Sequence, residues 1–216
     1  LPEKFISIPK FGSINLHASI LPKYRGAAPI QWALINGDKT TGISVFQIEK
    51  KIDTGKIIIQ NKLDIEKNDN YEIISNKLSN IGSRSLIKAL DLLEEGDVDF
   101  IKQDSSASTK APKISKYMLN IKWDWSAEKI NNWIRGLSPR PGMVTRFQNK
   151  KIKILKASIV DTYSKNIPGK IKIKENKKLQ VYTGKGLISI LELQQEGKKP
   201  LPIEQFLRGI NIVEMD

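Results

Sequence analysis

Cysteine is absent from this chain of 216 residues, and histidine occurs only once. Without thiols the chain cannot form disulfides or cysteine-based metal sites. A single imidazole leaves only carboxylates as further metal ligands, so we expect no bound metal. A chain without disulfides suits a reducing compartment, and we expect a cytoplasmic protein.

Long apolar segments are also absent. No run of about 18 apolar residues occurs, which is the length that a membrane-spanning helix needs. The N-terminus lacks the charged segment followed by an apolar stretch that is typical of a signal peptide. Hydrophobic residues nevertheless make up 39% of the chain, enough for the core of one large domain or two modest ones. We expect no contact with a membrane, and nothing in the sequence requires more than a monomer.

Acidic residues are scarce in the second half of the chain. Residues 1–110 hold 15 lysines and arginines against 14 aspartates and glutamates, whereas residues 111–216 hold 21 against 9. Such asymmetry favours a polyanionic partner for the second half, such as a nucleic acid. A solvated lysine-rich surface is the alternative, and charge alone does not decide between them.

Hydrophobic periodicity predicts mixed α and β structure in the front half. We expect strands over 12–17, 41–49 and 56–65, and a helix that begins at Pro29 and ends at Asn36–Gly37. A long helix over 70–95 is predicted from an N-cap among Asn68–Asp69–Asn70, a terminating Gly96 and an apolar stripe. The stripe consists of Ile74, Leu78, Ile81, Leu86, Leu90 and Leu93.

The back half has a different pattern. One amphipathic helix capped by Ser126 carries Ile130, Trp133, Ile134 and Leu137. Short β runs follow at 151–160, 169–174, 178–184 and 187–194, with a short helix within 202–209. Strands of this length and spacing favour a small barrel or sandwich.

The change of pattern, the charge shift and a polar, turn-rich segment all fall near residue 110. We therefore predict three parts: a catalytic domain over 1–104, a linker over 105–118 and a C-terminal domain over 119–216.

Three residues of the front half could form an acid–base site. Asn15 and His17 alternate at the end of a predicted strand, so their side chains should share one face. An Asn amide can hold a developing oxyanion, and an imidazole can pass a proton near neutral pH. Asp53, on a turn, is a candidate to orient the imidazole. A satisfied polar histidine and an ordinary Asp-Thr-Gly turn are the alternative interpretation.

The whole passage over 14–60 resembles the catalytic region of the folate-dependent formyltransferases. The family pattern is Asn-x-His, a Ser-Leu-Leu-Pro loop, Arg-Gly-Ala-x-Pro and a later Asp-Thr-Gly, and all four recur here in order. They are Asn15 with His17, Ser19–Ile20–Leu21–Pro22, Arg25–Gly26–Ala27–Ala28–Pro29 and Asp53–Thr54–Gly55. Ile20 and Lys56 depart from the pattern, Lys56 because it stands where an acidic residue is usual.

The resemblance implies the roles of these residues. Asn15, His17 and Asp53 would catalyse transfer of a formyl group from 10-formyltetrahydrofolate to an amine. Ser19, Ile20, Leu21 and Pro22 would line the tetrahydrofolate site, and Arg25 would lie beside the acceptor. The implied fold is α/β, the remainder of a Rossmann-like domain followed by a mostly β, OB-like barrel. In the family, on the order of 90 residues of sheet precede the Asn-x-His strand. We expect this chain by itself to be poorly soluble or inactive.

The back half indicates the acceptor. The segment IKWDWSAEKINNWIRGLSPRPG resembles the C-terminal domain of those family members that formylate methionyl-tRNA, with Ser138 replacing an Asn. It implies initiator methionyl-tRNA as partner. Candidate phosphate contacts, besides Arg25, are Lys110, Lys113, Lys116, Arg140, Arg146, Lys150, Lys151 and Lys153. A sugar-amine formyltransferase and a non-catalytic RNA-binding protein are the alternatives.

Overall fold

The computed structural model describes residues 3–6, 8–147, 150–174 and 177–209. This part of the chain divides into two units. The first runs to Leu34 and resumes over Asp38–Ile114, and the second takes Ile35–Gly37 and the described residues from Ser115 onward. The domain limits at 104 and 118 stay predictions.

The chain up to Ile114 mixes helices and strands, as predicted. In chain order these are α1 (Glu3–Ile6), β1 (Ile14–His17), α2 (Pro29–Asn36), β2 (Thr40–Gln47), β3 (Ile57–Asp64) and α3 (Tyr71–Glu95). The strands form an antiparallel sheet in the order β1-β2-β3. Asn15 lies opposite Phe46 and His17 opposite Ser44, so these four side chains share one face of the sheet.

Helix α3 has the predicted ends. The Asn70 side chain accepts a hydrogen bond from the Ile73 amide at 3.0 Å, and Gly96 closes the helix with φ 76°. The predicted apolar stripe is wrong at Leu90, which is 52% exposed. The buried face instead passes through small residues, Ser85 and Ala89, because the helix lies close to the sheet there.

The other face of the sheet packs on α3. A Cβ atom on Gly82 of α3 would lie 2.6 Å from Leu16 Cδ2, so this glycine makes room for the β1 side chain. Val45 of β2 is fully buried in the same core. Because side chains alternate along a strand, the burial of Leu16 against α3 directs Asn15 and His17 to the opposite face.

The second unit is mostly β. A 3₁₀ helix over Lys116–Leu119 precedes α4 (Ala127–Leu137), and α5 (Ile203–Arg208) comes last. The strands are β4 (Met143–Phe147), β5 (Lys150–Asp161), β6 (Ile171–Lys174), β7 (Lys178–Tyr182), β8 (Leu187–Gln195) and β9 (Pro200–Pro202). They pair antiparallel in the order β4-β5-β8-β7-β6, with β9 on β8.

Helix α4 is formed as its sequence predicts. The Ser126 hydroxyl accepts from the Lys129 amide at 3.2 Å, and Ile130, Trp133, Ile134 and Leu137 are all buried. Burying a large apolar side chain stabilises a fold by about 1.5–3 kcal/mol. This apolar face therefore fixes α4 against strand β5 and its neighbours.

The sheet of the second unit curls around an apolar interior. Side chains from five strands and α5 line one cavity, among them Ile154, Leu179, Ile190 and Phe206. This confirms the predicted mostly β, barrel-like C-terminal region. Strands β4 and β9 were not predicted, since β4 directly follows the proline-rich break and β9 begins and ends with proline.

Candidate active site

His17 lies buried at the end of β1, with 6% of its surface exposed. Its Nε2 is 2.8 Å from the carbonyl oxygen of Tyr24. A carbonyl can only accept a hydrogen bond, so Nε2 carries a proton and donates it. The exchangeable position of the imidazole is therefore Nδ1, and Nδ1 faces Asp53 Oδ2 at 3.7 Å.

Asp53 is held in place by backbone. Its φ of 54° lies in the left-handed region, which aspartate tolerates better than most residues. Oδ2 accepts a hydrogen bond from the Gly26 amide at 2.8 Å, and the side chain is 13% exposed. The structure thus brings His17 and Asp53 together, with one carboxylate oxygen shared between an amide and the imidazole.

Asn15 completes the set that the sequence predicts. Its side chain is exposed, on the same face as His17. Within residues 3–6, 8–147, 150–174 and 177–209, the Asn15 amide has no hydrogen-bond partner. It is therefore available to donate to a bound molecule, which is what an oxyanion donor must do.

The loop Tyr24–Gly26 connects His17 with Asp53 through backbone contacts that were not predicted. Its Tyr24 carbonyl binds His17, and its Gly26 amide binds Asp53. The loop lies alongside Thr109–Ala111: the Arg25 amide donates to Thr109 O at 2.9 Å, and Ala111 donates to Arg25 O at 2.7 Å. A Cβ on Gly26, whose φ is 127°, would lie 2.6 Å from the Ala111 carbonyl oxygen.

Gln103 is a residue of this site that the sequence analysis missed. It lies in the polar stretch just before the predicted linker, yet it is only 8% exposed. Its amide nitrogen donates to the carbonyls of Asp53 and Gly55, and its oxygen accepts from Arg25. A glutamine in a polar segment carries no local signal of such a role, because that role depends on what the fold places around it.

Asp104, next to Gln103, starts the short 3₁₀ helix Ser105–Ala107. Its Oδ1 accepts from the Ser106 hydroxyl at 2.6 Å and from the Ser106 amide at 2.9 Å. These two bonds, the hydroxyl first, hold the pKa of the Asp104 carboxyl below its usual value. The cap fixes the chain directly after Gln103.

The predicted folate loop, Ser19–Pro22, is tied to the sheet by Ser44. The Ser44 hydroxyl donates to Ser19 O at 2.7 Å and accepts from the Leu21 amide at 3.0 Å. Gln60 donates to both Leu21 O and Ser44 Oγ. Ser19 and Leu21 are buried, whereas Ile20 and Pro22 are only partly buried.

Lys56 departs from the family pattern, and its surroundings account for it. Its side chain is exposed, and its ammonium lies 5.7 Å from the centre of the Phe100 ring. A cation over an aromatic face is weakly attracted to it. A lysine is therefore accommodated directly after the Asp53 turn.

The predicted phosphate contacts are mostly exposed but not all on one surface. Arg25 and Lys110 are neighbours through a parallel β-bridge. On the second unit, Arg146 lies opposite Lys151, which also pairs with Glu196 at 3.1 Å, and Lys153 shares their face of the sheet. Lys150 alternates to the other face. The other three, Lys113, Lys116 and Arg140, are exposed.

The described residues contain neither a candidate metal cluster nor a candidate membrane-spanning helix. No cluster of three or more histidines, aspartates and glutamates is arranged there to hold a metal ion. No helix in those ranges is long and apolar enough to cross a membrane.

Known proteins match both parts of the chain. A family model described as formyl transferase matches residues 1–90, and one described as formyl transferase, C-terminal domain, matches residues 113–211. Together they define the class, the formyl transferases. Methionyl-tRNA formyltransferase of Caldanaerobacter subterraneus subsp. tengcongensis is 42% identical over 214 residues, which are 99% of this chain and 69% of that protein. The chain belongs to the methionyl-tRNA formyltransferase family.

Solved structures agree with this assignment. Methionyl-tRNA formyltransferase from Clostridium thermocellum superposes with a TM-score of 0.54 at 25% identity, over 68% of this chain and 63% of that one. HypX from Aquifex aeolicus in complex with tetrahydrofolic acid gives a TM-score of 0.68 at 17% identity, over 90% of this chain and 34% of that one. The HypX likeness concerns the fold alone.

Proposed function

We propose that this protein transfers the formyl group of 10-formyltetrahydrofolate to the α-amine of initiator methionyl-tRNA. The observation that carries the proposal is the pairing of His17 Nδ1 with Asp53 Oδ2 at 3.7 Å, on the same sheet face as the exposed Asn15 amide. Membership of the methionyl-tRNA formyltransferase family supports the choice of acceptor. We place the reaction in the cytoplasm, where translation begins.

The chemistry is an acyl transfer. The methionyl amine attacks the formyl carbon, a C–N bond forms, and the formyl oxygen takes up negative charge. The Asn15 amide donates a hydrogen bond to that oxygen and so stabilises the tetrahedral intermediate. The bond from carbon to the folate nitrogen then breaks, giving formylmethionyl-tRNA and tetrahydrofolate.

One proton must move from the amine to the departing folate nitrogen. Because Tyr24 O occupies Nε2–H of His17, the imidazole takes up or releases a proton only at Nδ1. Asp53 faces that atom and stabilises the imidazolium. The pair therefore accepts the amine proton and delivers it to the leaving nitrogen, so that no net charge is left in the site.

The substrates would meet the loops around this pair. Ser19–Pro22 would bind tetrahydrofolate, chiefly through Ile20 and Pro22, since Ser19 and Leu21 are buried. Arg25 and the eight lysines and arginines named above would bind tRNA phosphates. Binding a polyanion releases counterions, so the affinity should fall steeply with salt.

The test is formyl transfer from labelled 10-formyltetrahydrofolate. The chain is assayed as it stands and with the amino-terminal segment of the Caldanaerobacter relative joined ahead of it, because the chain spans 69% of that relative. Methionyl-tRNA and an amino-sugar nucleotide are offered side by side. Transfer to methionyl-tRNA supports the proposal, whereas transfer to the sugar alone, or to neither acceptor by either version, contradicts it.

A further inference from the structure

The Gln103 side chain uses all of its hydrogen-bonding capacity inside the candidate active site. Its Nε2 donates to Gly55 O at 2.7 Å and to Asp53 O at 3.0 Å. Its Oε1 accepts from Arg25 Nη2 at 2.6 Å and from Arg25 Nε at 3.2 Å. A primary amide has two donor hydrogens and two acceptor lone pairs, so none remains unused.

The two donated bonds hold the turn that carries the Asp53 carboxylate. They reach carbonyls on either side of Thr54, in a turn whose Asp53 backbone lies in the left-handed region at φ 54°. A backbone kept in that region depends on its surroundings to stay there. If the turn shifts, Asp53 Oδ2 moves relative to both the Gly26 amide and His17 Nδ1.

The two accepted bonds hold Arg25 without neutralising it. Arginine in proteins most often pairs with a carboxylate, which would cancel its charge. In the part of the chain that the structure describes, no carboxylate lies within salt-bridge distance of Arg25. The neutral amide orients the guanidinium and leaves its full positive charge available beside the Asp53 turn.

We infer that Gln103 is a positioning residue with two effects, which rest on the proposed function. Through the carbonyls of Asp53 and Gly55 it keeps the catalytic carboxylate aligned, and this effect acts on kcat. Through Arg25 it presents an uncompensated cation to a phosphate of the acceptor, and this effect acts on the KM for the acceptor. The second effect requires an amide at position 103, because a carboxylate there would neutralise Arg25.

Two substitutions test the effects, and the difference between them isolates the charge of Arg25. Gln103→Met keeps the length of the side chain and removes all four bonds, and a misaligned catalytic group can lower kcat by about 10²-fold. Gln103→Glu still accepts from Arg25 but cancels its charge, and, because a carboxylate cannot donate, it also loses the bonds to Asp53 O and Gly55 O and lowers kcat as Gln103→Met does. It should raise the KM for methionyl-tRNA and lower the slope of log KM against log salt by about one, the value for one phosphate contact.

The control is Gln180→Met. Gln180 is a similarly buried glutamine, 5% exposed, and it lies in the second unit. Its Oε1 has no hydrogen-bond partner in the part of the chain that the structure describes. The control should leave kcat and the salt slope within about twofold of the unsubstituted chain, because surface or core changes away from a site seldom alter catalysis.

The lone histidine supplies a readout that needs no substrate. Because the chain contains one His, its imidazole ¹⁵N signals belong to His17 without further assignment. Gln103→Met should displace the Nδ1 signal, and Gln180→Met should not. If Gln103→Met does not fold, Gln103→Asn, which shortens the same amide by one methylene, is measured in its place.

The results distinguish this inference from the proposed function. A displaced Nδ1 signal together with a lower kcat supports the inference. An unmoved signal and unchanged kcat in folded Gln103 variants overturn it, even if methionyl-tRNA is formylated. If the unsubstituted protein formylates methionyl-tRNA neither as it stands nor with the added amino-terminal segment, the proposed function fails, and the histidine spectrum still tests whether Gln103 positions Asp53.

Discussion

Gly26 donates its backbone N–H to Asp53 Oδ2 at 2.8 Å, across 27 residues of sequence. The bond requires a glycine, since φ at Gly26 is 127° and a Cβ would lie 2.6 Å from Ala111 O. The Asp53 carboxylate is thus fixed by a residue that has no side chain, in a loop that also binds His17.

Gly26→Ala should therefore destabilise the fold and inactivate the enzyme together. Strain in this backbone region amounts to about 1–3 kcal/mol, and the clash with Ala111 O adds to it. Thermal unfolding and kcat measure the two effects. Gly96→Ala is the matched control, because Gly96 also has positive φ, at 76°, but meets nothing within 4 Å. Equal effects of the two substitutions would mean that the Ala111 contact does not matter.

Asn15→Ala and Asp53→Asn should each lower kcat by roughly 10²–10³, the usual effect of removing one oxyanion donor or its equivalent. The folded content, measured by circular dichroism, should not change. Asp91→Asn makes the same chemical change on the exposed surface of α3. Turnover close to that of the unsubstituted protein in either site variant would remove that residue from the catalytic set.

Ser44→Ala should weaken folate binding more than acceptor binding. The substitution leaves the Leu21 amide without its partner, and a buried donor without a partner costs about 1–3 kcal/mol. The Ser19–Pro22 loop should then move, which raises the KM for 10-formyltetrahydrofolate. Ser189→Ala, an equally conservative change at a buried serine of β8, is the control. A selective rise in the KM for methionyl-tRNA would contradict the assignment of this loop to folate.

The basic face of the second unit should contribute to the salt dependence. Arg146 and Lys153 share one face of β4 and β5, so replacing both with Gln should lower the slope of log KM against log salt by about two. Lys62→Gln with Lys88→Gln, exposed lysines of the first unit, is the comparison. If both pairs change the slope equally, tRNA does not bind this face in particular.

The N-cap residue Asp104, next to Gln103, predicts that the stability of the fold depends on pH. The pKa of the Asp104 carboxyl is lowered chiefly by the Ser106 hydroxyl and then by the Ser106 amide. A carboxyl with a lowered pKa stabilises the fold above its usual titration range, and this contribution disappears as the pH falls through the lowered value. Ser106→Ala should raise the pKa of Asp104 part of the way back, as measured by NMR of the carboxyl carbon.

Asp161 serves as the comparison for that titration. Its pKa is also lowered, but the Ser164 amide is the largest cause and the Ser164 hydroxyl the second. Ser164→Ala should therefore raise the pKa of Asp161 by a smaller share of its shift. If Ser164→Ala instead restored the larger share of the pKa shift, the Ser106 hydroxyl would not be the main cause of the lowered pKa of Asp104.

The sequence predicted the elements of secondary structure better than the contacts between them. Helix α3 carries its own caps at Asn70 and Gly96, so its ends could be read locally. Leu90 was misjudged because the prediction followed large apolar residues, whereas the buried side of α3 between Leu78 and Leu93 is made of small ones.

In the candidate site, too, local motifs could be predicted from the sequence and long-range contacts could not. His17 and Asp53 belong to recognisable motifs, and the structure brings them together. Nothing in the polar stretch that holds Gln103 indicated that it would be buried and make four hydrogen bonds. The long-range contacts of a polar side chain produce no periodic pattern in the sequence, so only the folded structure shows them.

The pairing of Tyr24–Gly26 with Thr109–Ala111 has a consequence for biosynthesis. A ribosome that has translated as far as residue 104 has already made Asn15, His17, Asp53 and Gln103. It has not yet made Thr109 and Ala111, which receive the Arg25 and Ala28 amides and hold the loop against the sheet. During synthesis, this candidate site becomes complete only after residue 111 has left the exit tunnel, later than Gln103, the last of its side chains.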